Sequence, residues 1–126
     1  MSALKPKYTV SSYPDRGEVH FSASGFWDME TMTQFQRELI AAARPLFENG
    51  KPMRSFADLR GFVAQSSEVS DAIRTAVTAA AQLGTERTAM VSDSALTRSQ
   101  YRRLHEDLQI QTFEDPSEAL QWLRED

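Results

Sequence analysis

Glu18-Val19-His20-Phe21-Ser22-Ala23-Ser24-Gly25-Phe26-Trp27-Asp28-Met29-Glu30-Thr31-Met32 is the stretch in which the spacing of apolar residues changes period. Up to Gly25, Val19, Phe21 and Ala23 recur at every second position, the period of a half-buried strand. Beyond Asp28, Met32, Phe35, Leu39, Ala43 and Leu46 recur at helical spacing, running toward Gly50 with Pro45 disturbing the last turn. The junction carries its own punctuation. Asp28 can accept a bond from an orphan N–H of the first helical turn. Trp27 and Met32 stand at the two ends of a hydrophobic staple.

Working outward, Tyr8 to Tyr13 also alternates, and Pro14-Asp15-Arg16-Gly17 joins it to the strand at Glu18. Proline presets the first turn angle and glycine accepts a positive φ, so the pair reads as a hairpin. On the other side come a short strand at Ser55 to Leu59 and a helix capped by Ser66 or Ser67. Val69, Ile73, Val77, Ala80 and Leu83 form the apolar stripe of that helix, and Gly84 ends it. Thr88 to Ser92 reads as the next strand. Thr97 and Gln100 then form a capping box, stapled by Leu96 and Tyr101, with Tyr101, Leu104 and Leu108 on the buried side. Ile110 to Phe113 is the last strand. Asp115-Pro116 opens a final helix with Ala119, Leu120, Trp122 and Leu123 on its apolar side.

The expected order is therefore β-β-α-β-α-β-α-β-α. It describes an α/β domain with a mixed, mostly parallel sheet of four or five strands flanked by four helices. Residues 1–126 read as a single domain, with 1–7 a flexible lead-in.

Bulk composition narrows the function classes. At 126 residues, 40% hydrophobic and 25% charged, the chain can build a core without staples. It has no cysteine, which excludes disulfides, thiolate metal sites and a cysteine nucleophile. No run approaches the ~20 apolar residues of a membrane span, and Met1 to Lys7 is not followed by the apolar run of a signal peptide. The expected location is cytoplasmic. A net charge of −4 lacks the basic footprint that nucleic-acid binding needs. His20 and His105 have no neighbour that would make a zinc pair, and there is neither a glycine-rich phosphate loop nor a nucleophile elbow. No catalytic residue, metal or cofactor is expected.

Three motifs in this order carry a family resemblance: Gly25-Phe26-Trp27-Asp28 opening the first long helix, Asp58-Leu59-Arg60-Gly61 after the third strand, and Phe113-Glu114-Asp115-Pro116-Ser117-Glu118-Ala119-Leu120-Gln121-Trp122-Leu123 at the end. From about Tyr8 to Leu123 the chain resembles the SpoIIAA-like branch of the STAS (sulfate transporter and anti-sigma factor antagonist) superfamily. The resemblance implies a small α/β sandwich without enzymatic activity. It also implies, for antagonist members, a change of protein partner when a serine in an Asp-Ser-Ser-Gly type loop is phosphorylated. Here the aspartate and glycine match, but Leu59 and Arg60 stand in the serine positions. The hydroxyl that the switch uses is missing. Members of this branch that carry small apolar ligands or associate with membranes do not need it.

Several side chains are candidates on either reading. Asp58 and Arg60 stand at a strand end, where α/β sheets place ligand crevices, and arginine's planar fork suits an anion; the plainer reading is a strand-end ion pair. Ser66 and Ser67 are displaced phosphoacceptors or simply caps. Phe26, Trp27, Met29 and Met32 form an apolar pocket mouth if exposed and core if buried. Arg98, Arg102 and His105, with Arg103 beside them, suit acidic lipid headgroups or make a solvated face balanced by Glu106 and Asp107. The leading expectation is a binding domain for a small apolar or lipid-like molecule, with weak, peripheral contact to a membrane surface. The alternative is a protein-interaction module of the antagonist type, controlled at Ser66 or Ser67, whose partner is another protein or a second copy in a homodimer.

Overall fold

In the computed structural model, residues 5–48, 50, 52–104 and 109–125 are described, 100–104 by backbone alone. The elements are β1 (Lys7–Tyr13), β2 (Glu18–Ser24), α1 (Met29–Glu48), β3 (Met53–Asp58), α2 (Ser67–Gln82), β4 (Thr85–Val91), α3 (Ala95–Leu104), β5 (Ile110–Phe113) and α4 (Pro116–Leu123). The strands lie in the order β1-β2-β3-β4-β5. β1 runs antiparallel to β2 and the remaining pairs are parallel. This is the expected α/β arrangement, with five strands and four helices.

The alternation read in the two opening strands sets their register. Tyr8 faces Ala23 and Val10 faces Phe21, so the apolar residues of both strands share one side of the sheet. α1 and α2 cover that side, packing Met32, Phe35 and Val69 onto Ala23, Ala57 and Met90. The opposite side buries Phe56, Ala89 and Val91 under Ala119 and Leu123 of α4. The hairpin turns through a short 3-10 segment at Pro14–Arg16, closed by Gly17 at φ +66°.

Caps behave as local chemistry demands, with one exception. Thr31 N–H donates to Asp28 Oδ1 at 2.8 Å, Val69 N–H to Ser66 Oγ at 3.2 Å, and Ser117 N–H to Asp115 Oδ1 at 3.1 Å. The exception is α3. Its cap is Ser94, whose Oγ accepts from Thr97 N–H at 3.2 Å. Thr97 is thus inside the first turn, the box with Gln100 does not cap the helix, and Leu96 is exposed rather than a staple. Two serines and an aspartate precede that helix, so the earlier oxygen outcompetes the later one for the first-turn donors.

Other boundaries shift modestly. β1 starts at Lys7, inside the expected lead-in; Met1 to Leu4 lie outside the described residues. β3 and β4 each begin earlier than expected, because Met53-Arg54 and Thr85-Glu86-Arg87 pair despite their charges and a register irregularity at Met53/Arg54. α1 continues through Pro45 to Glu48. Leu83 leaves the stripe of α2: it is the capping residue beyond the last helical position and is 52% exposed.

A polar contact that hydrophobic periodicity does not register holds the carboxyl end. Glu18 in β2 is buried, and Arg124 donates to both its oxygens, Nε to Oε2 at 3.0 Å and Nη2 to Oε1 at 3.1 Å. His20 Nε2 lies 2.9 Å from Oε1. Burial alone would push the Glu18 carboxyl up, but the hydrogen bonds from Arg124 and His20 outweigh it and hold the group below its usual value of 4.5.

The sign of the pH effect follows. A carboxyl whose folded pKa is depressed stabilises the fold in full above the ordinary carboxylate range. That contribution is lost as pH falls through the lower folded value. Glu18→Gln is therefore expected to be less stable than the parent at pH 7, and thermal unfolding should show the gap narrowing as pH falls from about 5 toward 3. A gap that stays constant across that range would contradict it. Arg124→Ala, which strands a buried carboxylate, should cost about 2 kcal/mol at pH 7, at the low side of buried pairs because the guanidinium is itself partly solvated.

Candidate functional site

Beneath α2 the two layers do not meet completely. The helix presents Ile73, Ala76, Val77, Ala80 and Ala81 to the sheet, and three of these side chains are single methyl groups. A methyl cannot span the ~10 Å that separates packed layers. The consequence is a cavity of about 150 Å³. Its floor is the sheet, with Val19, Phe21 and Ala23 from β2, Met53 and Ser55 from β3, and Thr85, Thr88 and Met90 from β4. α1 closes one side with Met32, Phe35 and Leu39. Trp27, Leu59 and Phe62 close the end at the carboxyl ends of the strands, and Gln109 and Ile110 stand at the β5 side.

The aromatic end of the cavity is rigid. Trp27 is 2% exposed and meets Tyr8, Phe35 and Phe62 at centroid distances of 5.8, 5.1 and 5.4 Å, in tilted or edge-on geometry. Such pairs add about 0.5–1.5 kcal/mol each beyond burial. Its indole N–H donates to Ser24 O at 2.9 Å. The surrounding loops are stitched by Gln65, whose Oε1 accepts from Trp27 N–H at 2.8 Å. Its Nε2 donates to Gly25 O at 2.9 Å and to Val63 O. Gly61, at φ +83°, lets Gly25 N–H reach its carbonyl at 2.9 Å.

Of the apolar candidates at the start of α1, Trp27 and Met32 are buried and line the cavity, and Met29 packs against the same core. Phe26 is separate from them: it is 45% exposed, whereas Trp27 beside it is buried. Burial and pocket lining, posed by the sequence as alternatives, coincide at Trp27 and Met32. The inner wall of the cavity is the core itself.

The polar candidates are largely engaged with one another. Arg60 Nε donates to Asp58 Oδ1 at 2.9 Å and Nη2 to Oδ2 at 2.7 Å, so one edge of its fork is taken. The Arg60 hydrogen bonds hold the Asp58 carboxyl below the usual range. Ser66 and Ser67 are both exposed; Ser66 is the cap of α2 and Ser67 its first residue. Arg98, only 16% exposed, donates Nη1 to Ser92 O at 2.8 Å and Nη2 to Glu114 Oε1 at 3.0 Å. It clips α3 to the neighbouring strand ends. The side chains of Arg102 and Arg103, and all of His105, Glu106, Asp107 and Leu108, lie outside the described residues. Among the described residues no group of three histidine, aspartate or glutamate side chains gathers as a metal site, and no helix is long and apolar enough to cross a membrane.

The sequence reading missed Gln65, the buried Glu18–Arg124 pair and the cavity. Only the last had a visible signal: the alanine-rich run Ala76-Val77-Thr78-Ala79-Ala80-Ala81 on a helix that must cover a sheet of larger side chains.

Comparison with known proteins places this geometry among solved folds. No family model matches the chain, and no curated protein matches it. An uncharacterised protein of the DUF3478 family from Shewanella loihica, described as having a SpoIIAA-like fold, superposes with a TM-score of 0.76 at 17% identity, covering 98% of each chain. An anti-sigma factor antagonist from Mycobacterium paratuberculosis superposes with a TM-score of 0.64 at 16% identity, covering 96% of each. At these identities the likeness is one of architecture, and the fold of this protein is SpoIIAA-like.

Proposed function

We propose that this protein is a non-enzymatic binding domain for a small apolar molecule, held between the sheet and α2. The observation that carries the reading is the cavity of about 150 Å³ walled by aliphatic and aromatic side chains. An apolar space of that size accepts a benzene-sized guest. Every wall atom facing the void forgoes dispersion contacts, so a guest recovers energy that the empty protein lacks. A lipid-like molecule enters whole only if it is short, or if α2 moves outward to admit a longer chain. Peripheral membrane association draws less support than the cavity does, since Arg98 is committed to Ser92 and Glu114. A cytoplasmic working place accords with the cysteine-free composition.

Benzene added in excess to the purified protein should raise Tm. At ten times its Kd the gain is about 1.4 kcal/mol, or about 5 °C for a domain of this size. An Ala76→Phe variant, which fills the space from α2, should abolish the shift. The absence of any shift in the parent protein would refute the cavity as a binding site. Native mass spectrometry of protein from the source cell then identifies the resident molecule by its mass.

A second reading has its own observation. The architectural likeness to an anti-sigma factor antagonist supports a protein-interaction module, with Ser66 and Ser67 exposed at the start of α2 as its control point. A phosphate at that helix start would meet free N–H groups and the positive end of the helix dipole. On this reading, phosphopeptides carrying Ser66 or Ser67 are found in source cells and pull-down partners change when both become alanine. Structure predicts an asymmetry in stability alone: Ser66→Ala costs about 1 kcal/mol through loss of the cap, while Ser67→Ala stays within about 0.5 kcal/mol.

A further inference from the structure

The cavity is not apolar throughout, and its polar atoms are concentrated at one end. Trp27, Leu59 and Phe62 close the end toward the carboxyl termini of the strands. Toward the amino termini of β3 and β4 lie Ser55, Thr85 and Thr88. Ser55 Oγ and Thr88 Oγ1 are 2.8 Å apart and bond to each other across the strands. Within such a pair one hydroxyl donates and the other keeps its own hydrogen to give elsewhere. Thr85 Oγ1 is buried and has no hydrogen-bond partner among the described residues. A buried unsatisfied hydroxyl costs about 1–3 kcal/mol, and cores built for packing alone replace it with an isosteric methyl.

Among the described residues this end carries almost no charge. Arg87 is the one charged residue among the described residues bordering the cavity, and its guanidinium is turned to other work. Its Nη1 donates to Trp122 O and Glu125 O, each at 2.9 Å, and the group stacks over the Trp122 ring. Trp122 packs with the α4 cluster on the opposite side of the sheet. An ionised carboxylate or phosphate in the cavity would therefore be desolvated without a counter-charge, a heavy penalty. A neutral oxygen would meet one orphan hydroxyl and one spare O–H.

Resting on the ligand-binding reading, we propose that the cavity selects a small neutral amphiphile: an apolar body against Trp27 and Phe62, and a single uncharged oxygen, as in an alcohol, phenol or ketone, hydrogen-bonded at Thr85 beside the Ser55–Thr88 pair. The polar end makes the site a discriminator among apolar guests of similar size. A pure hydrocarbon leaves Thr85 unpaired, and an acid arrives with a charge that nothing offsets.

Three ring probes separate the possibilities: benzene, phenol and benzoate, titrated at pH 7 by nuclear magnetic resonance into the parent protein and into Thr85→Val. The variant is nearly isosteric and removes only the hydroxyl. The expected result is that phenol binds the parent, that Thr85→Val weakens phenol about tenfold, and that benzene affinity is unchanged between the two. Benzoate should bind neither. The empty variant should also show a higher Tm than the parent, because a buried unpaired hydroxyl has gone. If phenol and benzene respond alike to Thr85→Val, the polar end plays no part and this inference fails while the ligand-binding reading stands. If benzoate binds more tightly than phenol, the neutral-head assignment is overturned. If none of the three binds the parent protein, the cavity is not a ligand site and both readings fall together.

Discussion

The burial of Trp27 at the junction of β2 and α1 is the interaction on which the rest of the architecture depends. A strand ending at Ser24 and a helix starting at Met29 leave four residues for the chain to turn off the sheet and lie back across it. The indole fills that corner. Its N–H is satisfied by Ser24 O, its backbone N–H by Gln65, and its ring faces meet Tyr8, Phe35 and Phe62. With that side chain in place, α1 has one angle at which Met32 and Phe35 reach the sheet. Gln65 then draws the β3–α2 connection against the β2–α1 connection. The position of α2 follows from α1, and so does the space under α2.

The two faces of the sheet are held by different physics. The face under α1 and α2 is a continuous hydrophobic core at its aromatic end and opens into the cavity where α2 contributes alanines. The face under α4 is smaller, with Ala119 and Leu123 fully buried against Phe56, Ala89 and Val91. There the carboxyl-terminal residues are tied by cations: Arg54 donates to the carbonyls of Leu123 and Glu125, Arg87 to those of Trp122 and Glu125, and Arg124 to Glu18. Guanidinium groups satisfying the last carbonyls of a helix supply the partners that the helix cannot provide for itself. The cavity side is thereby free to be loose because the opposite side is not.

How much of this was legible in the sequence differs by kind of interaction. Elements whose faces alternate or recur, such as Val19-Phe21-Ala23 and Met32-Phe35-Leu39, announce themselves, because periodicity is a local property. The cap at Asp28, a cap at Ser66 or Ser67, and a helix start at Asp115-Pro116 were legible for the same reason. The α3 cap was not, since Ser94 and Thr97 both offer an oxygen and the choice between them depends on where β4 releases the chain. Glu18 pairs with a residue 106 positions away. Nothing in either neighbourhood marks that contact, and an exposed-looking glutamate in a strand is unremarkable until the carboxyl terminus folds over it. Of the candidate site, Trp27 and Met32 were named for their place at a helix start, and their role as cavity walls emerged only with the third dimension. Arg98, chosen for its spacing with Arg102, proved to be spent on its own fold.

The cavity itself is a compromise between helix propensity and packing. Alanine is the best helix former, so Ala76, Ala80 and Ala81 stabilise α2 as a helix while leaving little with which to fill the space beneath it. Leucine at the same positions would hold the helix nearly as well and close the void, with a gain from burial at each position. The choice of methyl groups opposite Phe21, Met53 and Met90 therefore forgoes stability that a purely structural helix would have kept. Thr85 points the same way, since valine in its place would pack as well without a hydroxyl that is unpaired among the described residues. Two independent departures from the most stable core, one in volume and one in polarity, border the same cavity. Natural proteins keep such departures where binding requires them, and that coincidence ties the alanines of α2 to the hydroxyl of β4.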